Sequence, residues 1–242
     1  MLTIFVRKDL NMRKGKMAAQ SAHAAMKLFL EVMSFSNNKL VLGEKENAAV
    51  EAFFAKPVVE IKMVKDESEF DNAADLTKPY AVIVDNGRTE FHGVPTKTCA
   101  AQGIFNEASL HELYVPQTYG EGIKAKELFV FSKEIPLPKE VACELAVVSC
   151  LKMLYAQMSV NEQGLREIDL NEESPLSSWI SGAFGKIAVS TKLNSELSAL
   201  QESLEGKGFK TLSYEVKGNK CFVIAPQYPH VIDEHTRHLS LI

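Results

Sequence analysis

The sequence is short of the features that mark metal, redox, membrane and nucleotide-loop proteins. It has four cysteines, Cys99, Cys143, Cys150 and Cys221, with no CxxC pair and no matching histidine cluster. Such spacing argues against a zinc site or a disulfide scaffold and for reduced thiols buried in a cytoplasmic protein. All four lie in apolar stretches, so core packing is expected of them rather than nucleophilic chemistry. No apolar run reaches the roughly 18 residues of a membrane span. The opening MLTIFVRKDLNMRKGK puts its apolar run before its charges, the reverse of a secretory signal. EGKG (205–208) and KGNK (217–220) are turns without the GxxxxGK[ST] form of a phosphate loop. With no nucleophile elbow and no metal cluster either, no cofactor and no metal are expected.

A basic surplus is also missing. Lys and Arg number 27 against 31 Asp and Glu, a formal charge of −4, which excludes a globally basic nucleic-acid binder but not a local basic patch. Residues 1–30 hold such a patch: Arg7, Lys8, Arg13, Lys14, Lys16 and Lys27 stand against Asp9 alone. A cluster of this kind can attract phosphates, although a solvated helix end would carry similar charge.

What is present is an ordinary globular balance, 46% hydrophobic and 24% charged, over a length that suits one large domain or two of about 120 residues. The stretch 2–8 reads as a strand and 13–34 as a long helix, with Asp9 or Asn11 as its cap. Residues 35–45 read as a loop, 46–55 as a helix stopped by Pro57, 58–64 as a strand, 66–76 as helical, 80–85 as a buried strand ending at a turn, and 98–104 as another strand. The pattern then restarts: strand 127–133, helix 138–158, a polar loop 159–175, short helix 177–184, strand 186–191, helix 193–208 and two further strands. Letters repeat too, at an offset of about 125. KMAAQSAHAAM (16–26) meets EVACELAVVSC (140–150), Phe54 meets Trp179, and VIVD ending at Asp85 meets LSYE ending at Glu215. The expectation is an α/β protein of two similar three-layer α/β/α units, each with a mixed sheet of about four strands. The units would span 1–118 and 126–242, joined by the polar linker near 117–126.

At 100° per residue, Lys16, Gln20 and His23 fall within about 60° of one another on the first helix. Small residues, Ala18, Ala19, Ser21, Ala22, Ala24 and Ala25, surround them and let other backbone come close. A polar trio over alanine makes a poor core stripe; a plain solvent-facing stripe is the alternative.

RKDLNMRKGKMAAQSAHAA closely resembles the signature R-x-D-L-x-M-x-x-G-K-x-A-A-Q-x-x-H-A of the archaeal/eukaryotic-type (type 2) peptidyl-tRNA hydrolases. Arg7, Asp9, Leu10, Met12, Gly15, Lys16, Ala18, Ala19, Gln20, His23 and Ala24 all fit. A second block resembles the family's D-x-G-R-T-x-x-x-x-G-[ST]-x-T segment through Asp85, Gly87, Arg88, Thr89, Thr96 and Thr98. The resemblance covers residues 1 to about 116, with Phe54 in place of a common Trp and an unusual 35–45 loop. The second half resembles the same family as scaffold only, through Trp179, Gly185, Lys186 and Ile187 and the ending IDEHTRHLSLI. Glu140, Glu144 and Val147 stand there where Lys16, Gln20 and His23 stand in the first half, and only VKGNK follows Glu215 in place of the Arg-Thr loop.

The resemblance implies hydrolysis of the ester between a peptide, or an N-blocked amino acid, and tRNA. The catalytic candidates are Lys16, Gln20, His23, Asp85, Thr89 and Thr98. Arg7, Arg13, Lys14, Arg88 and Thr96 are candidates for the tRNA. The chemistry needs an activated water, donors for the tetrahedral oxyanion, a proton for the ribose oxygen and cations along the approach. Asp85 or His23 could be the general base, Lys16 could hold the oxyanion or a phosphate, Gln20 could position water, and the threonines could donate to the carbonyl or ribose. The residues alone do not rank these roles. The second half then reads as a degenerate, non-catalytic copy that pairs with the first inside one chain. A non-catalytic tRNA-binding or protein-interaction module on the same scaffold is the competing reading.

Overall fold

The computed structural model describes residues 1–87, 90–106, 125–171 and 173–242. The chain runs β1 (Leu2–Arg7), α1 (Lys14–Glu31), β2 (Ser34–Ser36), β3 (Lys39–Leu42), α2 (Glu44–Ala55), β4 (Val59–Val64), α3 (Glu67–Asp71), β5 (Tyr80–Asp85) and β6 (Thr96–Gly103). It continues through β7 (Lys126–Ser132), α4 (Lys139–Gln157), β8 (Ser159–Val160), β9 (Arg166–Asp169), α5 (Pro175–Ile180), β10 (Gly185–Thr191) and α6 (Asn194–Gly206). β11 (Thr211–Val216), β12 (Asn219–Gln227), α7 (Pro229–Thr236) and β13 (Ser240–Leu241) complete it. The expected α/β class with two similar mixed sheets is what the chain forms.

The two main sheets share one plan. The first has the order β4-β1-β6-β5, with β1 parallel to β4 and the other pairs antiparallel. The second has the order β11-β12-β7-β10-β13, with β7 parallel to β10 and the other pairs antiparallel. Read from the parallel strand outward, β4-β1-β6-β5 and β10-β7-β12-β11 are the same arrangement. β13 adds a fifth strand to the second.

Helices α1 and α4 pack along each other between the sheets. Their small residues, Ala18, Ala22 and Ala25 on one and Ala142 and Ala146 on the other, are buried and let the backbones approach closely. Each helix covers its own sheet and also touches the parallel strand of the other, α1 against β10 and α4 against β4. On the far faces Phe70 of α3 closes a small cluster with Phe5 and Val64, and Leu197 and Leu204 of α6 with Ile232 of α7 close another on Leu128, Val130 and Phe222. The four cysteines are buried and unpaired, and burial pushes their thiols up, Cys143 to about 12. They behave as core.

Three expectations are corrected. Residues 35–45 are not a loop: β2 and β3 form a hairpin whose turn residues Asn37 and Asn38 both have positive φ (50° and 58°), as a tight primed turn demands and asparagine tolerates. Nor is 159–175 a loop throughout, because β8 and β9 form a second hairpin. The two hairpins join edge to edge, β3 with β9, into a four-stranded sheet β2-β3-β9-β8. Lys39 reaches across this joint to Glu167 at 2.7 Å and Asp169 at 3.4 Å. Third, neither Asp9 nor Asn11 caps α1. Its N-cap is Arg13 without a side-chain bond, and the Gly15 N–H donates to the Ile242 carbonyl at 3.0 Å.

Candidate active site

Lys16 and Gln20 lie one turn apart near the start of α1, and both reach the end of β5. Lys16 Nζ is 2.8 Å from Asp85 Oδ2, and Gln20 Nε2 donates to the same oxygen at 2.6 Å. The other oxygen, Oδ1, accepts the Gly87 N–H at 2.7 Å. Thr98, wholly buried on β6, donates to Gln20 Oε1 at 3.1 Å. The result is one connected chain, Thr98 to Gln20 to Asp85, with Lys16 closing it. The side chains of Lys16 and Asp85 are 13% and 14% exposed, so the charge pair is shielded without being sealed.

Local sequence explains why these groups meet. α1 lies on β5 and β6, and its alanines keep the gap small. Asp85 and Thr98 come from neighbouring antiparallel strands. Gly87 has φ +74° and turns the chain away from β5; a Cβ there would come within 2.7 Å of the Val94 nitrogen. Beyond it Phe91 and His92 also hold left-handed backbone (φ 65° and 52°), a conformation that costs of order 1 kcal/mol or more per non-glycine residue. The strained turn lays the Phe91 ring under Lys16, with Nζ 5.0 Å from its centroid. A cleft of about 890 Å³ opens here, lined by Leu10, Asn11, Arg13, Gly87, Phe91 and His92.

The remaining candidates separate. His23 does not join the network: its Nε2 is 2.7 Å from the Phe184 carbonyl, in the second half. Although part of His23 meets solvent, its dense surroundings disfavour the charged ring, and the nearby Lys186 and Lys16 cations add to this. Its pKa is lowered to about 3. Arg7 is buried and held by Asp9 at 2.6 Å and Glu67 at 2.8 Å, with Asp9 pulled below the usual carboxylate range by that guanidinium. Arg13 is 70% exposed on the cleft rim, where it meets Glu90 at 2.9 Å. Lys14 is partly exposed beside it, and Thr96 donates to the Val94 carbonyl at 2.9 Å. Arg88 and Thr89 lie outside the described residues. Among the described residues no group of three His, Cys, Asp or Glu is placed to hold a metal ion, and no helix is long and apolar enough to cross a membrane.

Sequence reasoning missed Phe91 under Lys16 and Phe184 and Lys186 beside His23. Phe91 stands inside the second motif block, so its nearness could have been read. The contacts of Phe184 and Lys186 join residues some 160 positions apart and leave no local signal.

Comparison with known proteins points to one family. A family described as Peptidyl-tRNA hydrolase PTH2 matches residues 1–114. The chain is similar to a peptidyl-tRNA hydrolase of Metallosphaera sedula, 39% identical over 103 residues that make up 42% of this chain and 84% of that protein. It is also similar to those of Sulfurisphaera tokodaii, 35% identical over 42% of this chain and 83% of the relative, and Sulfolobus acidocaldarius, 34% identical over 42% and 84%.

Proposed function

The chain belongs to the peptidyl-tRNA hydrolase family PTH2, and from that premise we propose that its first half hydrolyses the ester joining a peptide or an N-blocked amino acid to tRNA, releasing free tRNA. The observation that carries this reading is the shielded Lys16–Asp85 pair, braced by Gln20 and Thr98 and joined through Gly87 and Phe91 to a cleft that Arg13 also lines. Each part answers a demand of the reaction. The Lys16 ammonium, held by Asp85 and Phe91, is a fixed cation for the carbonyl oxygen as it becomes an oxyanion. Asp85 is the nearest carboxylate able to take a proton from attacking water, and Gln20 keeps it aimed. Buried Thr98 serves by holding Gln20 rather than by touching substrate. Arg13 and Lys14, with Arg88 and Thr96, take the phosphates and ribose of the acceptor end, while Arg7 holds the loop that carries Asp9. Water attacks directly, with no metal, in the cytoplasm.

We further assign residues 1–118 and 126–242 to two copies of one domain in tandem, the second degenerate. The shared strand plan of the two main sheets supports this. The α1–α4 contact and the β3–β9 joint make the pair a pseudo-dimer within one chain.

The test is release of tRNA from an N-acetyl-aminoacyl-tRNA in the presence of a chelator. Turnover by the wild-type chain that Lys16→Ala abolishes supports the reading. Binding of tRNA without turnover replaces it with a non-catalytic binding module, and loss of turnover on chelation removes direct water attack without a metal.

A further inference from the structure

We propose that the Phe184–Lys186 segment of the second half is a positioning element for His23, fixing its ring as the Nε2–H tautomer and leaving Nδ1 as the lone pair it offers. The proposal rests on the hydrolytic reading of the first half, in which His23 stands on α1 one turn beyond Gln20 and outside the Lys16–Asp85 network. A carbonyl oxygen only accepts, so the 2.7 Å contact with Phe184 requires the proton to sit on Nε2.

That carbonyl is itself held firmly. Phe184 has φ 47°, a left-handed conformation that phenylalanine rarely takes, so the surrounding structure imposes it. The Trp179 indole N–H donates to the Gly185 carbonyl at 3.0 Å, and the Trp179 and Phe184 rings meet edge to face at 6.0 Å. Lys186 Nζ lies 3.9 Å from the Trp179 ring centroid and 3.2 Å from Glu127 Oε2. Glu127 and Lys186 are partners across the parallel strands β7 and β10, and their side chains are 1% and 0% exposed.

A buried ion pair is a poor device for stability, since apolar residues of similar size often replace one without loss. Its position suggests another use. Lys186 Nζ is 3.4 Å from Met26 Sδ, on the next turn of α1 after His23. Among the described residues the charges that act on His23 are two cations, Lys186 from β10 and Lys16 from its own helix, and both oppose a proton on Nδ1. Glu127 pairs with Lys186 and holds it there. The second half, without a copy of the catalytic face, thus sets the state of a residue in the first.

The experiment is ¹⁵N NMR of the imidazoles in the full chain, with His23→Asn used to assign the resonance. In the wild type, His23 is expected as the Nε2–H tautomer and mostly unprotonated down to pH 4. In Lys186→Met/Glu127→Leu, which removes both charges together, its titration is expected to move up by about one pH unit into the window above pH 4. In Trp179→Phe, which loosens the turn, the tautomer is expected to become mixed, and kcat to fall severalfold with KM held. An Nδ1–H tautomer in the wild type, titration near the ordinary histidine value, or an unchanged titration in the double variant would overturn the proposal. If the double variant does not fold, the wild-type tautomer and Trp179→Phe still decide it. Expected spectra from a chain that hydrolyses nothing would leave the positioning intact and defeat the function proposed above.

Discussion

Helices α1 and α4 hold matching places in their sheets, and their first turns carry opposite chemistry. On α1, Lys16 and Gln20 converge on Asp85 at the end of β5. On α4 the positions matched by the sequence repeat are Glu140, exposed; Glu144, whose carboxyl is pushed up by burial; and Val147, fully buried. The loops differ as much as the helices. Between β5 and β6, Phe91 and His92 hold left-handed backbone and Phe91 lies under Lys16, whereas Lys217 and Gly218 alone join β11 to β12. Positive φ at both (51° and 77°) makes that link a tight hairpin turn with no room for a site. The two halves thus share their packing plan, while the polar face and its loop stand in one. Core positions are constrained by volume, and polar positions only by the chemistry they perform.

Breaking the α1 side of this comparison should give the largest effect. Lys16→Ala and Asp85→Asn should each lower kcat for N-acetyl-aminoacyl-tRNA by about 10²–10³, the range seen when one fixed oxyanion donor is removed. The two changes together should cost little more than either alone, because each leaves the other without its partner. Strict additivity in the double variant would mean that the 2.8 Å pair does not act as a unit.

His23 gives the next effect, read as stability. Its folded pKa of about 3 lies below its ordinary value, so the unfolded chain binds the extra proton. The stabilisation is fully present above about pH 6.5 and is lost as pH falls towards 3. His23→Asn removes that titration, so its unfolding free energy should fall less steeply on acidification, by up to about 1.4 kcal/mol per pH unit. Denaturant melts at pH 7, 6 and 5 check this. Parallel slopes in the two proteins would place His23 in an environment that does not resist charge.

Much of this arrangement was legible in the sequence, and the illegible part has a physical cause. Helix α1 and strands β1 and β5 were readable from local pattern, periodicity put Lys16 and Gln20 on one face, and Asp85 and Thr98 were added only by the resemblance that the two motif blocks carry; their contacts lie within one sheet and its helix. The β2–β3 hairpin carried a readable signal in Asn37-Asn38 and was missed through weighing polarity above turn chemistry. The β3–β9 joint and the Phe184 contact to His23 were not readable. They depend on how two separately folded patterns dock, which no local period encodes. Arg7 is the opposite case: its charge suggested phosphate binding, while its burial and its pairing with Asp9 and Glu67 could be seen only in three dimensions.

The rim cations offer a smaller effect. Arg13→Ala and Lys14→Ala should each leave kcat within about twofold. Each should weaken tRNA binding and reduce the slope of log K against log salt by about 0.7–0.9, as expected for one phosphate contact. Arg13 already meets Glu90, so its share should be the lesser. An unchanged slope in both variants would move the acceptor arm away from this rim.

The smallest effect belongs to α4, and it tests the comparison most directly. Glu140→Ala should leave turnover within about twofold, since Glu140 is exposed and the contacts that hold Lys16 and Gln20 go to Asp85 and Thr98. Its reversal should be equally silent. Glu140→Lys with Glu144→Gln and Val147→His restores the three side-chain types to α4, yet it restores neither an aspartate at the end of β11 nor the loop that follows Asp85. In a Lys16→Ala background this triple change should therefore recover no hydrolysis. Recovery would mean that a lysine on the helix suffices without a paired carboxylate, and the case for Asp85 as part of the reacting unit would fall with it.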